Sequence, residues 1–123
     1  MLRDGVPVLA CGSPGGDQQD QWTLAVLLRR LHHGLDLQAA IDLPLFTSKH
    51  FPQSFYPRSF EAGRLLVEDR LGPDAIAVLE RRGHRVTVES GWSLGRVCAV
   101  GREDGFLIAA ATPRLMQAYA IGR

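Results

Sequence analysis

Apolar positions along the chain fall into short, differently spaced groups, and the spacing predicts alternating strands and helices. Val6 to Ala10 is a brief apolar run ending in Gly12-Ser13-Pro14-Gly15-Gly16, which reads as a strand entering a tight glycine turn. From Asp20 or Gln21 to His33 the period changes. Leu24, Leu27, Leu28 and Leu31 recur at i, i+3, i+4 and i+7, the signature of a helix with one apolar stripe against a core, which would leave Arg29 and Arg30 facing water. Arginines and histidines in the last turns suit the negative end of the helix dipole, and Gly34 supplies a left-handed stop.

Asp36 can cap a second, short helix through Asp42, ended by Pro44. Leu45 to Phe60 carries five aromatic residues and two prolines, so it is expected to be an ordered loop packed on the core. Arg64 to Leu71 reads as a strand, and Gly72-Pro73-Asp74 opens a helix through Ile76 and Leu79 to Gly83. Val86 and Val88 then alternate with polar residues. Arg96 to Val100 is expected to pair with Phe106 to Ala111 across a hairpin loop, Gly101 to Gly105, ending in Asp-Gly. The expectation is a single α/β domain over residues 1–123, its strands mostly antiparallel.

Composition narrows the function classes. The 123 residues suit one domain, and 46% hydrophobic content excludes long disorder. With 14 Lys+Arg against 13 Asp+Glu, the +1 charge gives no electrostatic hold on nucleic acid or an acidic membrane, so neither is an expected partner. Met1 to Pro7 lacks the basic start and apolar core of a signal peptide, and the chain as given is expected to be soluble and cytoplasmic. Cys11 and Cys98, each among small apolar neighbours, are expected to be buried, reduced thiols.

Candidate chemistry concentrates at Gly12 to Gly16. Adjacent glycines ahead of a helix let bare backbone N–H groups converge on one oxygen atom, which suits an oxyanion; a turn that merely needs positive φ explains the same residues. A phosphate loop fits poorly, because no Lys-Ser or Lys-Thr follows and Asp17 and Asp20 place negative charge there. Ser13 is a poor hydrolase nucleophile, since Pro14 has no N–H to give an oxyanion. His32 and His33 read as solvated or capping side chains, and His50 and His84 stand alone, so no metal or cofactor is expected. Trp22 and Trp92 read as core or interface anchors.

Gly12-Ser13-Pro14-Gly15-Gly16, the following helix, and Gly34-Leu35-Asp36-Leu37-Gln38-Ala39-Ala40-Ile41-Asp42-Leu43-Pro44-Leu45-Phe46 together resemble the gamma-glutamyltransferases. The likeness continues through Leu79 to Val86, Gly95 to Val100, Phe106 to Ala111, Ala111-Thr112-Pro113-Arg114 and the terminal Tyr119-Ala120-Ile121-Gly122-Arg123. It is similar to the last part of that family's small subunit. The resemblance implies a partial N-terminal-nucleophile hydrolase αββα sandwich and a role in transferring or hydrolysing gamma-glutamyl or related acyl amides. It also implies that Gly15 and Gly16 form the oxyanion hole.

The threonine nucleophile of the family and the residues gripping the glutamyl group belong upstream of Met1, so the substrate-binding residues are unknown. Thr23, Thr47, Thr87 and Thr112 match no nucleophile motif. The implied partner is therefore an upstream family segment or second chain carrying the nucleophile, and the chain alone is expected to be inactive. Asp17-Gln18-Gln19-Asp20-Gln21-Trp22 and Phe55-Tyr56-Pro57-Arg58 are unlike the better-known members and suggest a divergent branch. The alternative is a non-catalytic, stand-alone remnant forming a homo-oligomer through exposed strand edges.

Overall fold

The computed structural model describes residues 1–116 and 118–121, so the last two residues of the terminal Tyr119 to Arg123 motif lie outside them. A small hairpin, β1 (Leu2–Arg3) with β2 (Val6–Pro7), precedes β3 (Leu9–Gly12). β3 pairs antiparallel with β7 (Cys98–Glu103), which pairs antiparallel with β8 (Phe106–Ala111). A second sheet holds β4 (Phe46–Ser48), β5 (Arg64–Glu68) and β6 (Arg85–Glu89), in which β4 and β5 run antiparallel but β5 and β6 run parallel. That one parallel pair needs a crossover, which α3 (Pro73–Arg81) supplies. The other helices are α1 (Gln19–Leu31) and α2 (Leu37–Asp42).

Local chemistry accounts for most boundaries. The Asp36 carboxylate accepts from the Ala39 N–H at 2.9 Å, capping α2 as expected. Pro73 occupies the first turn of α3, where its missing N–H costs nothing. Strand β7 runs on to Glu103, beyond the expected end at Val100, because the turn is only Asp104-Gly105, whose φ values of 48° and 84° suit a two-residue hairpin. Within the expected loop from Leu45 to Phe60, Phe46–Ser48 forms strand β4 against β5.

The core lies between α1, α2 and one face of the β3-β7-β8 sheet. Leu9, Ala99 and Ala110 point inward against Trp22, Val26, Leu37, Ala40, Ile41, Leu45 and Val97. Strand alternation turns Ala10, Val100 and Ala109 to the opposite face, where all three are exposed. No second layer covers that face among the described residues.

Two sequence expectations are corrected here. In α1 most of the expected leucine stripe faces outward: Leu24, Leu28 and Leu31 are 56%, 42% and 49% exposed, Leu27 alone of the four packs against the core, and Trp22 and Val26 are buried. Its middle run, Leu24 to Leu28, is apolar on every side, so the pattern admits two stripes on opposite sides. Trp22 decides between them, with a large ring to bury and an Nε1–H that donates to the buried Thr47 Oγ1 at 2.9 Å. Arg29 and Arg30 correspondingly turn toward protein. Arg29 donates to the carbonyls of Ala40, Leu43 and Pro44, and Arg30 donates to the Leu35 carbonyl and Glu103. The second correction concerns the thiols. Cys98 lies on the uncovered sheet face and is exposed, while Cys11, two residues along β3 from Leu9, is half-buried.

Candidate active site

At the end of β3 the chain leaves the sheet at Gly12 and enters α1 through a 3-10 turn, Gly16–Gln18. Gly15 has φ 138° and Gly16 has φ 59°, both in the region that favours glycine. Space imposes the same choice. A Cβ on Gly15 would stand 2.6 Å from Trp22 Cζ3, and one on Gly16 would stand 3.1 Å from Phe55 Cε2. The indole lies beneath the first glycine and the phenyl ring beside the second. Among the described residues no group accepts a hydrogen bond from the N–H of Gly15 or Gly16, and Gly16 is exposed. The turn therefore presents unpaired backbone donors on a backbone bare enough for close approach.

Side chains around the turn hold it in place. Asp17 accepts from the Ser54 N–H at 2.7 Å and from the Ser54 hydroxyl, and these bonds hold its carboxyl below the usual carboxylate range. Gln18, with its amide oriented to donate to the Gly15 carbonyl at 2.6 Å, accepts from Lys49 Nζ at 2.8 Å. Gln21 exchanges two hydrogen bonds with the Ser48 backbone. The negative charge of Asp17, read from sequence as an obstacle to an anion, is thus directed toward Ser54 in the loop between β4 and β5. Ser13 Oγ donates to the Pro14 carbonyl at 2.8 Å, consistent with its dismissal as a nucleophile.

Beyond the turn lies a buried ion pair that sequence reasoning missed. Arg114 and Glu68 are both 0% exposed. Arg114 Nε donates to Glu68 Oε1 at 2.7 Å, and a terminal nitrogen donates to Oε2 at 2.8 Å, a two-pronged geometry. The same guanidinium donates to the Ile41 and Leu43 carbonyls at the end of α2 and to Thr112 Oγ1. Glu68 also accepts from the Leu45 and Leu94 N–H groups. Burial pushes its carboxyl pKa up, but Arg114 and these amides outweigh that and hold it below the ordinary value. Burial, and then the like charge of Arg114, lowers the Arg29 pKa against the opposing pull of Glu68. The available signals were a glutamate directly after the apolar run Leu65-Leu66-Val67 and an arginine after Thr-Pro. Neither names its partner 46 residues away.

The other candidate residues do not converge on the turn as a catalytic set. His50 Nδ1 accepts from the Gly63 N–H at 2.9 Å and its ring packs edge-on to Phe51 and Phe60, so it orders the aromatic loop. Thr47 and Thr112 are buried hydrogen-bond partners. Trp22 is a core anchor as expected, whereas Trp92 lies under the Arg70 guanidinium, 3.4 Å from its ring centre. Among the described residues no three His, Cys, Asp or Glu side chains come close enough to hold a metal ion.

Helices packed on largely antiparallel sheets match the expected α/β fold class, and solved gamma-glutamyltranspeptidases share the fold. The model of the gamma-glutamyltranspeptidase family matches residues 1–122, and the chain belongs to that family. It is 27% identical to the glutathione hydrolase proenzyme of Escherichia coli K12 over 99% of this chain and 19% of that protein. It is 34% identical to the oxamate amidohydrolase proenzyme of Klebsiella pneumoniae over 92% of this chain and 21% of that one. The solved structure of LmbA2991HD superimposes with a TM-score of 0.90 at 54% identity, covering 99% of this chain and 22% of that chain. The chain therefore spans about a fifth of the length of the curated relatives it matches.

Proposed function

We propose that this chain is the C-terminal segment of a gamma-glutamyltransferase-like enzyme that transfers or hydrolyses gamma-glutamyl or related acyl amides. In this reading the Gly15 and Gly16 N–H groups stabilise the oxyanion that forms when a nucleophile attacks the amide carbonyl. The observation that carries it is the unpaired donor pair, held at positive φ between Trp22 and Phe55. Donors fixed in advance need no reorganisation as charge develops, and losing one typically costs about 10² to 10³ in kcat. The nucleophile comes from an upstream family segment or a second chain.

The uncovered sheet face supports the need for such a partner. Leu2, Pro7, Val100, Leu107, Ala109 and Ile121 line an apolar groove of about 920 Å³ across it. A layered α/β fold buries such a face against another layer. The same face favours the second reading, a non-catalytic remnant that covers it with another copy of itself.

The test is an assay with a chromogenic gamma-glutamyl anilide. The chain alone should give no turnover, because donors without an attacking atom cannot start the covalent step. Joined to an upstream family segment it should become active, and Gly16→Val should then remove about 10² or more of kcat. An active complex indifferent to Gly16→Val refutes the role of the glycines. A stable homo-oligomer by light scattering that does not bind the upstream segment supports the second reading.

A further inference from the structure

Phe55 occupies an unusual position for an aromatic residue in a loop. Its ring edge faces Gly16, so that an added Cβ would sit 3.1 Å from Cε2, yet the residue is 65% exposed. An exposed ring gains little by staying there through burial alone. Its position follows from the adjacent latch, in which Ser54 gives both its N–H and its hydroxyl to Asp17 at the start of the 3-10 turn. A tight turn closes the other side, where the Arg58 N–H donates to the Phe55 carbonyl at 2.7 Å. The ring is thus tied to the segment that carries the backbone donors.

We propose that Phe55 is a specificity-determining residue: it forms a wall beside Gly16 against which the substituent of the reacting acyl group packs, and the Asp17–Ser54 latch positions it. The proposal rests on the reading of Gly15 and Gly16 as oxyanion donors. The ring adjoins the same residue whose N–H would hold the carbonyl oxygen, which makes it a neighbour of the reacting acyl group in this reading. The wall is apolar. The two charged side chains bound to the turn are both engaged, Asp17 by Ser54 and Lys49 by Gln18. The favoured donors are therefore amides whose acyl group bears an apolar, flat substituent near the carbonyl.

The experiment uses the active complex of this chain with the upstream family segment, and compares kcat/KM for a phenylacetyl anilide and an acetyl anilide. The unmodified complex should prefer the phenylacetyl donor. Phe55→Ala should reduce that preference about tenfold, the scale of a lost apolar pocket contact, read as the ratio of kcat/KM for the two donors. Phe55→Tyr should restore the preference. Ser54→Ala, which removes one strand of the latch, should shift it the same way by a smaller factor with the melting temperature unchanged. A complex with no preference for the phenylacetyl donor, or a Phe55→Ala change that lowers both donors equally or neither, overturns the proposal. Gly16→Val separates the two levels. If it lowers both donors alike while Phe55→Ala leaves their ratio unchanged, the wall fails and the oxyanion reading stands. If Gly16→Val leaves both rates intact, the reading of the glycines fails, and the wall proposal falls with it.

Discussion

Replacing Arg114 by methionine should destabilise the protein more than any single surface change, and the structure sets the scale. The substitution removes both prongs of the bond to Glu68 and the donors to the Ile41 and Leu43 carbonyls, at a site with no exposure. Breaking a buried pair by deleting one partner typically costs about 3 to 5 kcal/mol, because the remaining charge stays buried; for Glu68, Arg70 at 3.8 Å and the Leu45 and Leu94 amides remain and place the loss toward the lower end. For a domain of this size each kcal/mol shifts the melting temperature by about 4 °C, so a fall of about 12 to 20 °C is expected. Circular dichroism with thermal and urea melts would measure it. Arg114→Lys should recover only part of the loss, since a point-like ammonium cannot span both carboxylate oxygens and two carbonyls. The double substitution Glu68→Leu with Arg114→Met should recover more than the single one, because it leaves no orphaned charge. A loss below about 1 kcal/mol for Arg114→Met, or a double variant less stable than the single, would refute this account of the pair.

Other measurements bear on the same structure. Glu68 has a folded-state pKa below its unfolded value, so its contribution is present above the unfolded pKa and lost as pH falls through the folded pKa. Urea midpoints should therefore drop on acidification below the ordinary carboxylate range, and less steeply in Arg114→Met. Cys98 is exposed, whereas Cys11 is half-buried and burial raises its thiol pKa. A disulfide reagent near neutral pH should label Cys98 first, as peptide mass mapping would show; faster labelling of Cys11 would contradict this burial pattern.

Local features were legible in the sequence wherever one residue carries its own physical cause. Asp36 caps α2 and Pro73 opens α3 with no help from distant neighbours. The glycine turn and the pairing of the last two strands were legible for the same reason, although the loop between those strands is two residues and not the expected five. What failed was the choice of α1 face, where one leucine-rich helix offered two stripes and the tie was broken by Thr47, 25 residues from Trp22. Strand β4 was hidden for a related reason. Its three residues show no period, and its ladder to β5 depends on a partner across the aromatic loop. The Glu68–Arg114 pair is wholly non-local. The candidate site divides in the same way: the glycines were visible, but the Phe55 ring and the Asp17–Ser54 latch depend on contacts made across 37 or more residues.

The two glycines of the turn should respond differently to the same small substitution. Gly15 at φ 138° lies well outside the left-handed well that an L residue can visit, and its missing Cβ abuts Trp22 Cζ3. Trp22 cannot retreat, because Thr47 holds its indole nitrogen and Thr47 lies on β4, whose entry at Leu45 is bonded to Glu68. Gly15→Ala must therefore strain the backbone and displace a core side chain together. Gly16 at φ 59° lies within the left-handed well, and the ring beside it belongs to an exposed loop able to yield by a few tenths of an ångström. Its alanine variant should cost only the left-handed penalty, about 1 to 2 kcal/mol. Gly15→Ala should exceed that, reaching the range of about 1 to 3 kcal/mol for overpacking in addition to the backbone cost. Thermal melts of the two variants, with near-ultraviolet dichroism following Trp22, would compare them. Equal losses, or an unchanged Trp22 signal in Gly15→Ala, would mean that the indole is not the fixed floor of the turn.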